Sequence, residues 1–108
     1  MAKRMEDWDA GQFYAAFHGA AEKAADAKFR EKFEALAKAI EPLQREFARQ
    51  TAKCGPEIGS LMEDLQWIAA KMGYCEKPRG FERECEDLYR RLCQAIAKVN
   101  SLRDTCFV

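Results

Sequence analysis

The chain has 108 residues, 48% of them hydrophobic and 33% charged, the composition of one globular domain with a single core over residues 1–108. Eighteen basic residues balance eighteen acidic ones, so no single-sign field gathers phosphates or anionic lipid, which argues against nucleic acid as the main partner. No apolar run approaches the ~20 residues of a membrane helix, and Glu6, Asp7 and Asp9 stand where the apolar part of an export signal would lie. A cytoplasmic protein that does not enter a membrane is expected.

The first predicted element is a helix over residues 9–25, where Phe13, Phe17, Ala20 and Ala24 recur at helical spacing on one face. Asp26 offers an N-capping oxygen, and the stripe restarts in a new phase at Phe29. A second helix over residues 26–54 carries Phe29, Phe33, Leu36, Ile40, Leu43 and Phe47 at alternating spacings of four and three. Such a stripe belongs to a helix packed along a partner. Glu34 with Lys38, and Glu41 with Arg45, form i,i+4 pairs on its solvated flanks. Pro42 lacks a backbone donor and would clash with the Lys38 carbonyl, at about 3 kcal/mol, so a kink is expected there. Gly55 as a left-handed C′ residue, followed by Pro56, is expected to end the helix.

Ser60 and Glu63 have the spacing of a capping box, which opens a third helix bearing Leu61, Leu65, Ile68 and Met72 and closed by Gly73. Residues 74–80, with Pro78, read as a loop. The fourth segment carries Phe81, Cys85, Leu88, Leu92, Ala95, Val99 and Leu102, widened by Tyr89, Cys93 and Ile96. Glu82, Glu84, Glu86 and Asp87 crowd its start and Arg90, Arg91, Lys98 and Arg103 follow, an order that suits the helix dipole. The fold expected is all-α: an antiparallel up-down bundle of about four helices, with helix 2 long and kinked at Pro42.

No residue pattern announces catalysis, and no catalytic, cofactor-binding or metal residues are expected. His18 is the single histidine; histidine phosphotransfer modules place lysine and glycine three and four residues later, where this chain has Ala21 and Glu22. Cys54, Cys75, Cys85, Cys93 and Cys106 contain no C-x-x-C pair and have no histidine near them in sequence, unlike a zinc ribbon or a disulfide framework. Cys85 and Cys93 are expected as buried filler in helix 4, and Cys54, Cys75 and Cys106 as more exposed thiols near segment ends. The glycines Gly55, Gly59, Gly73 and Gly80 stand singly and form no phosphate-cradling loop.

The first half of the chain, through the stretches FYAAFHGAAEKAADAKF and REKFEALAKAIEPLQREF, resembles the first helix pair of the ferritin-like superfamily, including its rubrerythrin-type members. The resemblance implies a four-helix bundle and, as an alternative function, a divergent protein that binds metal through carboxylates. It places Glu41 and Gln44 at the family's E-x-x-H pair, with Gln44 in the place of the histidine, and Asp7 near the first-helix glutamate. Glu63 or Asp64 would stand for the third-helix glutamate, and the acidic run from Glu82 to Asp87 for the other pair.

At ~1.5 Å per residue, a second helix over residues 26–54 spans roughly 40 Å and a third over residues 60–72 only about 20 Å, so the third cannot cover the second; helices 1 and 4 are expected to supply some of the missing cover, but not near Leu43 and Phe47. Leu43 and Phe47 are therefore expected at a partner interface, with Trp8 and Trp67 as aromatic anchors. The expected function is a small non-enzymatic module acting through protein–protein contacts, as an adaptor, chaperone or inhibitor or as a homo-oligomer.

Overall fold

The computed structural model describes Trp8 and residues 10–41 and 55–105. Within these lie four α-helices: α1 (Ala10–Lys23), α2 (Ala27–Ile40), α3 (Gly55–Lys71) and α4 (Glu82–Thr105), with a 3₁₀ turn (Met72–Cys75) after α3. No strand occurs among the described residues. The protein is all-α and compact, with a radius of gyration of 13.6 Å against about 13 Å for a folded chain of this length. Pro42, Leu43 and Phe47 lie outside the described residues, as does the kink expected at Pro42.

Asp26 makes the break between α1 and α2. Its backbone is extended, and its side chain accepts from the Lys28 N–H at 3.0 Å, satisfying one of the orphan donors of the α2 N-terminus. The neighbouring Ala25 N–H donates to the Cys75 carbonyl at 2.9 Å, which ties the α1–α2 turn to the 3₁₀ turn. One end of the molecule thus holds the end of α1, the start of α2, the exit from α3 and, through Cys85, the start of α4.

The expected stripes form the core. Phe13, Phe17, Phe33, Leu36, Ile40, Leu61, Leu65, Ile68, Leu88, Leu92 and Val99 are fully buried, each stabilising the fold by about 1.5–3 kcal/mol. No polar or charged residue is buried among the described residues. α1 packs most extensively on α2, where the Phe17 and Phe33 rings lie 6.4 Å apart. α2 then packs on α4, with Phe29 edge-on to Tyr89 at 5.7 Å, and α4 on α3, while α1 meets α3 only lightly. Among the described residues α2 is covered by α1 and α4, so the length of the third helix does not decide how much of α2 is covered.

Three boundaries differ from expectation. Gly55 and Pro56 open α3 instead of closing α2, because in the first turn proline forfeits no helical hydrogen bond and its φ is already helical. With 17 residues α3 reaches ~25 Å, and Ser60 lies inside it instead of capping it. Gly73 sits within the 3₁₀ turn, so it does not close the third helix. Phe81, expected on the apolar stripe of helix 4, is 42% exposed because α4 begins one residue later. Its N–H donates to the Pro78 carbonyl, and its ring lies 4.7 Å from that of Tyr74. Gly80 has φ +90°, a left-handed conformation that favours glycine.

Candidate functional site

The face shared by α3 and α4 gathers the most specific polar geometry of the described molecule. Lys98 donates to Asp64 Oδ2 at 2.6 Å and to Ser60 Oγ at 3.1 Å. On the other carboxylate oxygen, Arg91 Nη1 lies 3.9 Å from Asp64 Oδ1. The Arg91 guanidinium also stands 5.1 Å from the centre of the Trp67 ring, within cation–π range. Positions 60, 64 and 67 on α3 meet 98 and 91 on α4 in descending order, so the two helices are antiparallel here. Asp64 is the hub, its side chain 22% exposed between two cations.

Below this ladder, toward the start of α3 and the end of α4, the two helices part. Pro56, Glu57, Ser60, Ala97, Lys98 and Leu102, with Ser101, line an open groove of about 570 Å³. Proline, alanine and leucine carbon forms much of its wall, and the charged end of Lys98 is drawn aside to Asp64. The face can hold an apolar side chain at one end and an aromatic or anionic group beside Trp67 and Arg91 at the other.

Of the four residues expected at a partner interface, Trp67 lies on this face, half-buried under Arg91. Trp8 is also half-buried, but its ring packs edge-on against Phe13 at 5.3 Å, just before α1. α1 and α3 finish at the same end of the molecule, so Trp8 and Trp67 sit toward opposite ends and do not form one patch. Leu43 and Phe47 lie outside the described residues.

His18 occupies the surface of α1, stacked on Tyr14 at 5.9 Å. Its Nε2 lies 3.4 Å from Glu22 and its Nδ1 3.5 Å from Glu34 of α2. Because these carboxylates approach opposite sides of the ring, the three groups do not converge on one point. The carboxylates singled out by the ferritin-like resemblance do not converge either. Glu41, Glu63, Glu82, Glu84, Glu86 and Asp87 are exposed, and Asp64 is occupied by Lys98. No three His, Cys, Asp or Glu side chains come together as a metal site among the described residues, so these donors do not fit a bundle-core metal centre. Asp7 and Gln44 lie outside the described residues.

The cysteines depart from expectation in two places. Cys75, expected near the surface, is 1% exposed, because the 3₁₀ turn tucks it under the α1–α2 turn and its carbonyl takes the Ala25 N–H. Cys93, expected as buried filler, is half-buried and lines a surface depression with Lys28, Glu86, Tyr89 and Arg90. Cys85 is buried as expected. Burial pushes the Cys75 thiol up to about 12, with the adjacent Cys85 adding to the effect, and burial raises Cys85 as well. Cys54 and Cys106 lie outside the described residues.

Sequence reasoning missed the groove and the pairing of Cys75 with Cys85. A signal for the first was present in Pro56, which is as good a helix starter as a terminator. The second depends on how a turn docks, which spacing does not encode. No family model, curated relative or solved structure matches this chain. No helix of the described residues is long and apolar enough to cross a membrane.

Proposed function

We propose that this chain is a non-enzymatic helical-bundle module that works through protein–protein contact, with a second copy of itself as the first partner. The reading includes an antiparallel up-down arrangement in which helix 2 continues past Pro42 with a kink and presents Leu43 and Phe47. The observation that carries it is the open groove between the start of α3 and the end of α4, flanked on the same face by Trp67 under Arg91. Apolar carbon left in water at a concave surface is the usual mark of a contact site. The formal net charge of zero removes the long-range repulsion that keeps like copies apart, which favours self-association over docking to a strongly charged partner.

Sedimentation over a wide concentration range tests this, with Ala97→Glu and Phe47→Glu beside the wild type. Ala97 is exposed on the groove wall, so a carboxylate there obstructs the groove without entering the core. A concentration-dependent dimer weakened at least tenfold by both substitutions is expected. A strictly monomeric wild type overturns self-association, and capture of a partner from the native host then separates an adaptor, chaperone or inhibitor by what it brings down. Stoichiometric iron, zinc or manganese after purification without added metal, lost in Glu41→Ala, would replace this reading with a carboxylate metal binder of the ferritin-like kind.

A further inference from the structure

The described core contains two free thiols, Cys75 and Cys85, and they belong to one small structural unit. Cys75 ends the 3₁₀ turn and Cys85 lies in the first turn of α4, with nine residues between them in sequence. The Cys85 Sγ donates to the Tyr74 carbonyl oxygen at 3.7 Å. That oxygen and the Cys75 Cα belong to one planar peptide unit, so the Cys85 sulfur lies within a side chain's reach of Cys75. Each of the two thiols also contributes to the raised proton affinity or the electrostatic surroundings of the other, as neighbouring groups do.

The connection between them is already closed without a covalent bond. The Tyr74 and Phe81 rings meet across it at 4.7 Å, the Glu76 N–H donates to the Gly73 carbonyl and the Phe81 N–H to the Pro78 carbonyl. Gly80, in its left-handed conformation, donates to Glu82 Oε1 at 3.2 Å. A link between the two sulfurs would therefore span a connection that the native fold already closes, and would remove freedom mainly from the unfolded chain.

We infer that Cys75 and Cys85 form a redox staple, a dithiol that closes to an intramolecular disulfide between the exit of α3 and the start of α4. The oxidant is a small-molecule disulfide of the glutathione class. In balanced form, one cysteine loses its proton and its thiolate attacks the small disulfide, breaking that S–S bond and releasing one small thiolate. The second cysteine, deprotonated in turn, attacks the mixed disulfide, forms the Cys75–Cys85 bond and releases the second thiolate. The protein gives up two electrons and two protons, and the small disulfide becomes two thiols.

Burial and the raised thiols keep the closed pair protonated and shielded at neutral pH, so the first attack proceeds when residues 76–81 open. Asp26, Glu82 and Glu84 oppose the thiolates and Lys28 favours the one on Cys85. The staple therefore forms faster as pH rises. In a reducing compartment it stays open, and it closes when the thiol pool is oxidised.

The test treats the reduced full chain with glutathione disulfide, maps disulfides by mass spectrometry of peptides cut between the cysteines, and follows thermal unfolding with and without reductant. Cys75 linked to Cys85 within one chain is expected as the main product. The melting temperature should rise by roughly 10 °C on oxidation, an increase abolished by Cys75→Ser and Cys85→Ser and kept by Cys93→Ser. Stable mixed disulfides on both cysteines, a main product linking either one elsewhere, no linkage even in the denaturant range where the connection opens, or a fall in melting temperature would each overturn the proposal. Should one serine variant fail to fold, the wild-type peptide map and melt decide alone.

Discussion

The two ends of the molecule are built on different terms. At the end holding the α1–α2 turn, the Asp26 cap, the Ala25 to Cys75 hydrogen bond, the Phe29–Tyr89 contact and the Tyr74–Phe81 pair close the chain on itself. At the other end α3 starts on Gly55 and Pro56 while α4 runs out to Thr105, and the space between them is the open groove. The closed end satisfies the Ala25 and Lys28 donors and pairs its rings internally, which makes it the reference frame of the fold. Among the described residues the open end presents apolar carbon of Pro56, Ala97 and Leu102 to the groove, so under the proposed function stability and contact should separate along the long axis.

The largest effects test the shared core on which both ends depend. Phe33→Ala should lower unfolding free energy by about 3–5 kcal/mol and Leu92→Ala by about 2–5 kcal/mol, because both side chains are fully buried and a cavity adds to the lost transfer energy. Leu102→Ala, on the groove wall, should fall at or below the low end of that range, since its surroundings can relax into the opening. Denaturant unfolding measures all three. Equal costs at Leu92 and Leu102 would mean that the groove is closed in solution and the contrast between the ends is false.

A middle tier separates local closure at one end from charge pairing along the α3–α4 face. Asp26→Ala removes the cap of α2 and should cost about 1 kcal/mol, with amide exchange of residues 24–30 accelerating before that of α3. Asp64→Ala leaves Lys98 and Arg91 without their shared carboxylate but lets both swing into water, so its cost should stay near 0.5–1 kcal/mol and shrink with added salt. A cost for Asp64→Ala insensitive to salt would mean that its ion pairs are not what the substitution removes.

The sequence carried the helices well and their neighbours poorly. The stripes from Phe13 through Ile40 and from Cys85 through Leu102 mark which face is buried, and that face is buried in the structure. The Asp26 cap was legible because a side-chain oxygen ahead of a restarted stripe has few other uses. A stripe does not say against what it is buried: element lengths give helices 1 and 4 only a share in covering helix 2, whereas among the described residues α2 packs chiefly on α1 and α4. The start of α3 was misread because glycine followed by proline suits both the end of one helix and the start of the next. Cys75 and Phe81 exchanged their expected environments for one shared reason. A tight 3₁₀ turn carries Cys75 inward and returns the chain at the surface, and its docking under Ala25 is a tertiary contact with no local signature.

An effect as small as that at Asp64 lies at the closed end and distinguishes buried thiol from buried apolar filler. The Cys75 thiol is held at about 12, against an ordinary value of 9.0, because ionising it would place charge in the core next to Cys85. Below about 9 both folded and unfolded chains keep this proton, and the stability associated with the neutral buried thiol is fully present. As pH rises above 9 the unfolded chain releases the proton while the folded chain retains it, so stability is lost progressively until the folded thiol ionises near 12. At pH 9.5 the loss from this one group should be about 0.8 kcal/mol. The quantity to measure is a difference that cancels whatever the variants share: unfolding free energy at pH 7.5 and 9.5 for the wild type and for Cys75→Ser, under full reduction. The serine variant is expected to be less stable at both pH values, by a buried hydroxyl's desolvation, yet to lose less stability between them. Cys85 is coupled to this titration, so Cys85→Ser should also flatten the pH dependence, and the double variant should flatten it by less than the sum of the two. Parallel pH dependences for the wild type and Cys75→Ser would show that Cys75 ionises as freely in the folded chain as in the unfolded one, and that the closed end is more open to water than its hydrogen bonds and rings imply.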